Sequence, residues 1–317
     1  MTTNKLRPLT ESSLLTALTV IIGAAGLYIP LVILFWTLPI TIITARHSLK
    51  YGALSIIIAS LILCLFLTPV TALPLAVSSA PLALMLGYGF NRGWSAVKIF
   101  TSSFIASILG TVLFIALTFY MTGINLFFDQ IDMFKKAMLD TNAVFSSAGI
   151  TSEAMLDAQR QTDHIVNVLI LLMPMMFILN ALFKLIVNYM AGAMLLKRLG
   201  MTGINALPAF TKWRFPRQFI YVYILALLGM YWGETRSIQL LYQVALNVYL
   251  FATVIGLIQG LSVIRFFYKA KQWPAAIWIF IIIMLCVNMI IIQMVAVAGY
   301  FDMLFDYRSK YKAGGSK

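Results

Sequence analysis

The chain has 317 residues, of which 62% are hydrophobic and 10% charged, and Lys plus Arg outnumber Asp plus Glu by 23 to 10, a formal charge of +13. Soluble domains carry about 25% charged residues, so this balance excludes an ordinary soluble enzyme, and so much apolar side chain excludes a disordered chain. With a mean hydropathy of +0.94, the composition predicts a polytopic, all-α integral membrane protein. Its basic excess then belongs to cytoplasmic loops and the bilayer surface, not to nucleic acid.

Nine apolar segments follow one another: 13–28, 31–44, 51–67, 70–90, 97–121, 164–196, 219–232, 238–264 and 273–300. A helix needs about 20 residues to cross a core of about 30 Å, so eight or nine transmembrane helices are expected. The first two segments are short, with a tight hairpin at Tyr28, Ile29 and Pro30. No small-residue cleavage site precedes Pro30, so the first segment reads as an uncleaved span. The sixth is too long for one crossing and should kink at Pro174. The seventh is the weakest. Cys64 and Cys286 lie inside apolar runs and read as small buried side chains.

With the N-terminus inside, the cytoplasmic loops hold 14 of the 23 bases, and the external loop 122–163 holds six of the ten acids. The positive-inside rule therefore favours a cytoplasmic N-terminus in the cell membrane. One conflict follows: nine crossings put the tail outside, although it carries Arg308, Lys310, Lys312 and Lys317.

Two loops stand out. In 122–163, Phe127, Ile131, Phe134 and Met138 recur at helical spacing against Asp132, Lys135 and Lys136. That pattern predicts an amphipathic cap lying on the membrane. A break at 146–149 separates it from a second short helix with Glu153, Asp157 and Arg160. The loop 197–217 carries five bases and no acid, together with Trp213 and Pro216. It suits anionic headgroups or a cytoplasmic partner.

Polar groups inside spans are costly and mark functional candidates. Asn180, Lys184 and Asn188 stand four apart, which puts them on one helix face; Gln243 and Asn247 form a second polar pair. Lys184 is expected to snorkel toward the cytoplasmic headgroups as an anchor, and the amides to bond neighbouring helices. Small residues four apart, as in Ser79, Ala83 and Gly87, Ser102, Ala106 and Gly110, or Gly256 and Gly260, predict close helix contacts. No HExxH, Walker lysine loop or GxSxG occurs, so no enzyme, metal or cofactor is expected.

Several stretches in order resemble the YybS-like family of bacterial multi-spanning membrane proteins. They are Thr10 and Glu11, Pro30, Leu38 to Ile40 with Arg46, Asn188 and Tyr189, Lys197 to Gly200, Trp213 to Pro216, Ile258 to Gly260, and Gly299 to Asp302 with Arg308. Over its N-terminal part that family is similar to the substrate-binding S components of energy-coupling factor transporters. The resemblance implies an S-component-like six-helix domain at 1–200 and a three-helix addition at 201–317. It also implies a transmembrane coupling subunit with separate ATPase chains. Ser13 and Ala17 stand where S components carry an Ala-xxx-Ala docking motif. The function expected is binding or permeation of a small vitamin- or nucleobase-like solute without chemistry on it. Tyr28, Trp36, Tyr120, Asn125 and Asn167 are the candidate contacts in an outer pocket. The alternative is a membrane scaffold or regulator that docks a cytoplasmic partner through the basic loop.

Overall fold

In a bilayer the backbone must pair its own N–H and C=O groups, so apolar runs become helices. The computed structural model describes residues 3–147, 152–205 and 207–314. Among them the elements are α1 (Thr3–Ala25), a 3-10 turn (Val32–Phe35), α2 (Leu38–Arg46), α3 (Leu49–Phe66), α4 (Pro69–Asn91), α5 (Ala96–Thr122) and α6 (Leu126–Ser147). There follow α7 (Ser152–Arg198), a second 3-10 turn (Phe210–Lys212), α8 (Gln218–Thr235), α9 (Gln239–Ala270), α10 (Ala275–Val287), α11 (Met289–Phe305) and α12 (Tyr307–Gly314). Six helices among the described residues are long and apolar enough to cross a membrane, or seven if α10 and α11 count as one bent span. The chain is a polytopic all-α membrane protein. Its helices group into two compact units, residues 1–167 with 176–206, and 168–175 with 207–317.

The first unit is built around its shortest helix. Every residue of α2 from Leu38 to Ala45 is buried, because α2 packs against protein on several sides. Thr41 and Thr44 survive there by donating their hydroxyls to the carbonyls of Thr37 and Ile40, both at 2.9 Å. Neighbours come close through glycine. A methyl on Gly87 of α4 would meet the Thr41 carbonyl at 2.8 Å, and one on Gly110 of α5 would strike the Ser78 carbonyl. The small-residue rows of the sequence are thus internal packing. At one end of the unit, Glu11 of α1 bridges Arg46 at 2.5 Å and approaches His47 at 3.3 Å. There, too, the amide of Asn91 donates to the Ala45 carbonyl at 2.7 Å.

The loop after α5 forms one long helix, α6, with Ile131 buried and Asp132 and Lys136 exposed, as its periodicity predicts; the side chain of Phe127 lies outside the described residues. The second short helix is not separate. Its residues from Ser152 onward are the first turns of α7, which runs 47 residues. Residues 148–151, part of the expected break, lie outside the described residues.

In the second unit α9 and α11 cross where glycine allows it. A methyl on Gly299 would meet the Gly260 backbone nitrogen at 2.6 Å, and one on Gly256 the Ala296 carbonyl at 2.9 Å. The chain before α11 breaks at Asn288, whose side chain caps α11 by accepting from Ile290 N at 2.9 Å. The axes of the two flanking helices differ by 113°. Trp278 of α10 packs on Tyr268, with Arg265 over both rings at 4.8 and 4.7 Å. Tyr311 of α12 packs on Phe266 and Phe267. Both ends of the α10–α11 pair therefore lie at the C-terminal end of α9, so the pair enters and returns. The apolar run 273–300, expected as one straight ninth crossing, is thus divided at Asn288 into two helices. Cysteines at Thr211 and Lys310 should label from the same side in intact membranes, and one at Ser147 from the other. Labelling of Thr211 and Lys310 from opposite sides would reject the returning pair.

Candidate functional site

The polar face read on the sixth segment is partly realised. Asn188 of α7 is buried, and its carboxamide is fully used. Its nitrogen donates to the Leu34 carbonyl at 2.9 Å and the Lys184 carbonyl at 2.8 Å, while its oxygen accepts from the Thr37 hydroxyl. One side chain thus fastens α7 to the chain entering α2. Beside it opens a cavity of about 180 Å³. Lys184, Asn188, Thr37, Ser78 and Ser79 form its polar wall, and Ile33, Leu75, Leu82 and Phe114 are part of its apolar one. Asn180 is exposed instead and does not line the cavity.

Lys184, expected as an anchor, stands along the cavity wall. Fourteen residues separate it from Arg198, the end of α7, which is about 21 Å of helix. The side chain lines the cavity. Among the described residues its ammonium has no ion pair and no hydrogen-bond acceptor. The Ser78 hydroxyl donates to the Leu75 carbonyl at 2.9 Å and lies 3.3 Å from the Ser79 hydroxyl.

The five proposed solute contacts are not gathered there. Tyr28 and Tyr120 are each 87% exposed, Tyr28 because it sits in the turn after α1. Trp36 is 0% exposed in a core with Ile40, Ile56 and Leu63. It fills the space that Gly23 leaves on α1, and its indole N–H finds no acceptor among the described residues. Asn125 borders a shallow apolar depression with Phe119 and Ile124, and Asn167 is exposed.

In the second unit, Asn247 of α9 spans the turn at Pro174 of α7. It accepts from Met175 N at 2.9 Å and donates to the Leu171 carbonyl at 2.7 Å. Proline loosens that turn by removing an N–H, and the amide braces it. Gln243 adds its backbone carbonyl as an acceptor for Asn247 at 2.8 Å.

A buried ion pair that the sequence reading missed ties down the basic loop. Arg308 and Asp302 are each 2% exposed at the side chain and meet at 2.8 Å. Arg308 also donates to the carbonyls of Thr211 and Trp213, both at 2.9 Å, and to Ser262 at 3.0 Å. Gln259 donates to Asp302 at 2.7 Å and accepts from Phe215 N at 3.1 Å. The only sequence signal was an acid at the end of an apolar run with an arginine one helical turn and a half beyond it. Removing one member of a buried pair costs about 3–5 kcal/mol because the other charge is stranded. Arg308→Met should therefore melt far below wild type in detergent, and Asp302→Leu with Arg308→Met should recover much of the loss. A single-variant melt no lower than that of Lys310→Met would refute this role.

A surface clasp adjoins the pair. Arg214 reaches Asp306 at 2.7 Å and Ser309 at 3.0 Å. The Ser309 hydroxyl, followed by Arg214, holds the Asp306 carboxyl below the usual carboxylate range. Its folded pKa being depressed, the clasp stabilises fully above the unfolded value of about 3.9 and loses its contribution as pH falls through the folded one. Asp306→Asn should flatten the acid limb of a melting-temperature profile; an unchanged limb would count against the clasp.

The chain is 24% identical over 310 residues to the protein described as uncharacterized protein YybS of Bacillus subtilis (strain 168), covering 96% of this chain and 99% of that one. No solved structure matches it, so the S-component likeness rests on sequence motifs alone. The family model for predicted membrane protein (DUF2232) matches residues 17–303, and the chain belongs to that family.

Proposed function

We propose that the protein binds a small solute within the membrane and passes it across without chemistry on it. Its N-terminus and tail would lie on the cytoplasmic side of the cell membrane. The observation that carries this reading is the cavity in the first unit, where polar groups converge among apolar side chains. That is the composition of small-molecule sites, and a membrane core has no other use for an ammonium it does not pair. At about 180 Å³ the cavity is below the roughly 300–1,000 Å³ of sites for drug-sized ligands. A cavity of about 150 Å³ holds a benzene ring, so the size favours a solute of one small ring or less over a whole vitamin.

A scaffold role through the basic loop has one observation in its favour. Lys212 and Arg217 are exposed while Arg308 holds the backbone behind them. Such a role would place a partner there and leave the cavity idle. Solute panels on purified protein separate the two. A ligand at 100 times its Kd adds about 2.7 kcal/mol to stability, and Ser79→Phe, which fills the cavity, should abolish that gain. If Ser79→Phe keeps the full shift for every stabilising solute, the cavity is not the binding site.

A further inference from the structure

We propose that the cavity takes a small monocarboxylate, with Lys184 as its counter-ion. This rests on the solute-binding reading above and names the solute's class. The first reason is charge. The sequence has ten acids, and between Leu14 and Tyr120, or between Ile165 and Arg198, there is none. Glu11, the acid in α1, is engaged with Arg46 and His47. No carboxylate of the chain's own is left in these two stretches to neutralise Lys184, and an unpaired charge in a membrane interior is costly. The missing negative charge is that of the solute.

The second reason is hydrogen-bond supply. Both hydrogens of the Asn188 amide are committed to Leu34 and Lys184, the Thr37 hydroxyl donates to Asn188, and the Ser78 hydroxyl donates to Leu75. What remains uncommitted is the Lys184 ammonium; beside it the Ser79 hydroxyl donates to the Ser78 oxygen at 3.3 Å, a long bond that a carboxylate oxygen can replace. That is the set a carboxylate needs, an acceptor-only group that makes its strongest bonds to charged donors. A cation is repelled, and a neutral solute leaves the ammonium uncompensated.

The third reason is shape. The cavity's volume accommodates a few heavy atoms, and Ile33, Leu75, Leu82 and Phe114 line it. A short alkyl group can rest on these side chains while the carboxylate faces Lys184 and Ser79. Acetate and lactate match both halves of the cavity, whereas chloride and nitrate match only the charged half.

The test is thermal unfolding of the purified full chain in detergent. Sodium acetate, lactate, chloride and nitrate and neutral acetamide are titrated at constant ionic strength, with gluconate, too large for the cavity, as balance. Acetate or lactate should raise the wild-type melting temperature saturably. Lys184→Met should lose that response and melt above wild type without anion, since it removes the unpaired charge. Ser79→Ala should weaken binding about tenfold, the effect of losing one bond to a charged group. If Lys184→Met does not fold, Lys184→Arg, which keeps the charge, must retain part of the shift where Ser79→Phe retains none. Chloride or nitrate acting in place of acetate overturns the carboxylate assignment. Acetamide acting as well as acetate, with Lys184→Met still responsive, overturns the counter-ion role and leaves the cavity reading standing. Silence to these ions with a response to a different solute, lost in Ser79→Phe, does the same. Silence to every solute overturns both.

Discussion

Inside a bilayer no water arrives to complete a polar group, so each one must be satisfied by another part of the chain or not at all. Asn188 shows what that constraint builds. Its three hydrogen bonds to Leu34, Thr37 and Lys184 hold a short, wholly buried helix against a very long one, and the cavity is the space left beside that joint. Asn247 and Gln259 repeat the device in the second unit. One braces the Pro174 turn and the other bridges Asp302 to Phe215. In each case the carboxamide supplies both a donor and an acceptor, which a hydroxyl does with less reach and a charge does only at the cost of desolvation.

Periodicity made much of this legible. The four-residue spacing of Asn180, Lys184 and Asn188 put them on one face, and the amphipathic stripe around Ile131 gave α6. The glycine rows marked real crossings, at Gly110 against Ser78 and Gly299 against Gly260. Spacing fixes a face along one helix, however, and not which neighbour covers each turn of it. Asn180 shares the face of Asn188 and is exposed, while Asn188, two turns on, is buried. For the same reason Thr37 and Ser78 carried no signal, and Ser79 read only as part of a close-packing row. Each is an ordinary small polar residue in its own stretch and becomes a cavity wall only when α4 and α7 meet the start of α2.

Trp36 and the run 273–300 differ from the sequence reading for different reasons. An aromatic near a loop resembles a ligand contact, yet Trp36 stands one residue past a 3-10 turn that swings its ring under α1. The apolar run 273–300 has the same composition whether it crosses straight or doubles back, so hydropathy cannot choose. The charges could. Arg308 and Lys310 are anomalous on an external tail, and a returning pair would remove that anomaly.

Arg308, buried, and Lys184, half-buried, make the sharpest contrast in the chain. Arg308 is sealed at 2% exposure and has every requirement met: a carboxylate, two backbone carbonyls and a serine hydroxyl. Its function is exhausted by that, since the guanidinium holds the basic loop, α9 and α12 together. Lys184 sits among helices that hold no acid at its depth, and its neighbours spend their hydrogen bonds on one another. Had it been structural, the same chain shows how the charge would have been settled. A lysine left without a counter-ion, facing a cavity of its own size class, is organised for a partner that comes and goes.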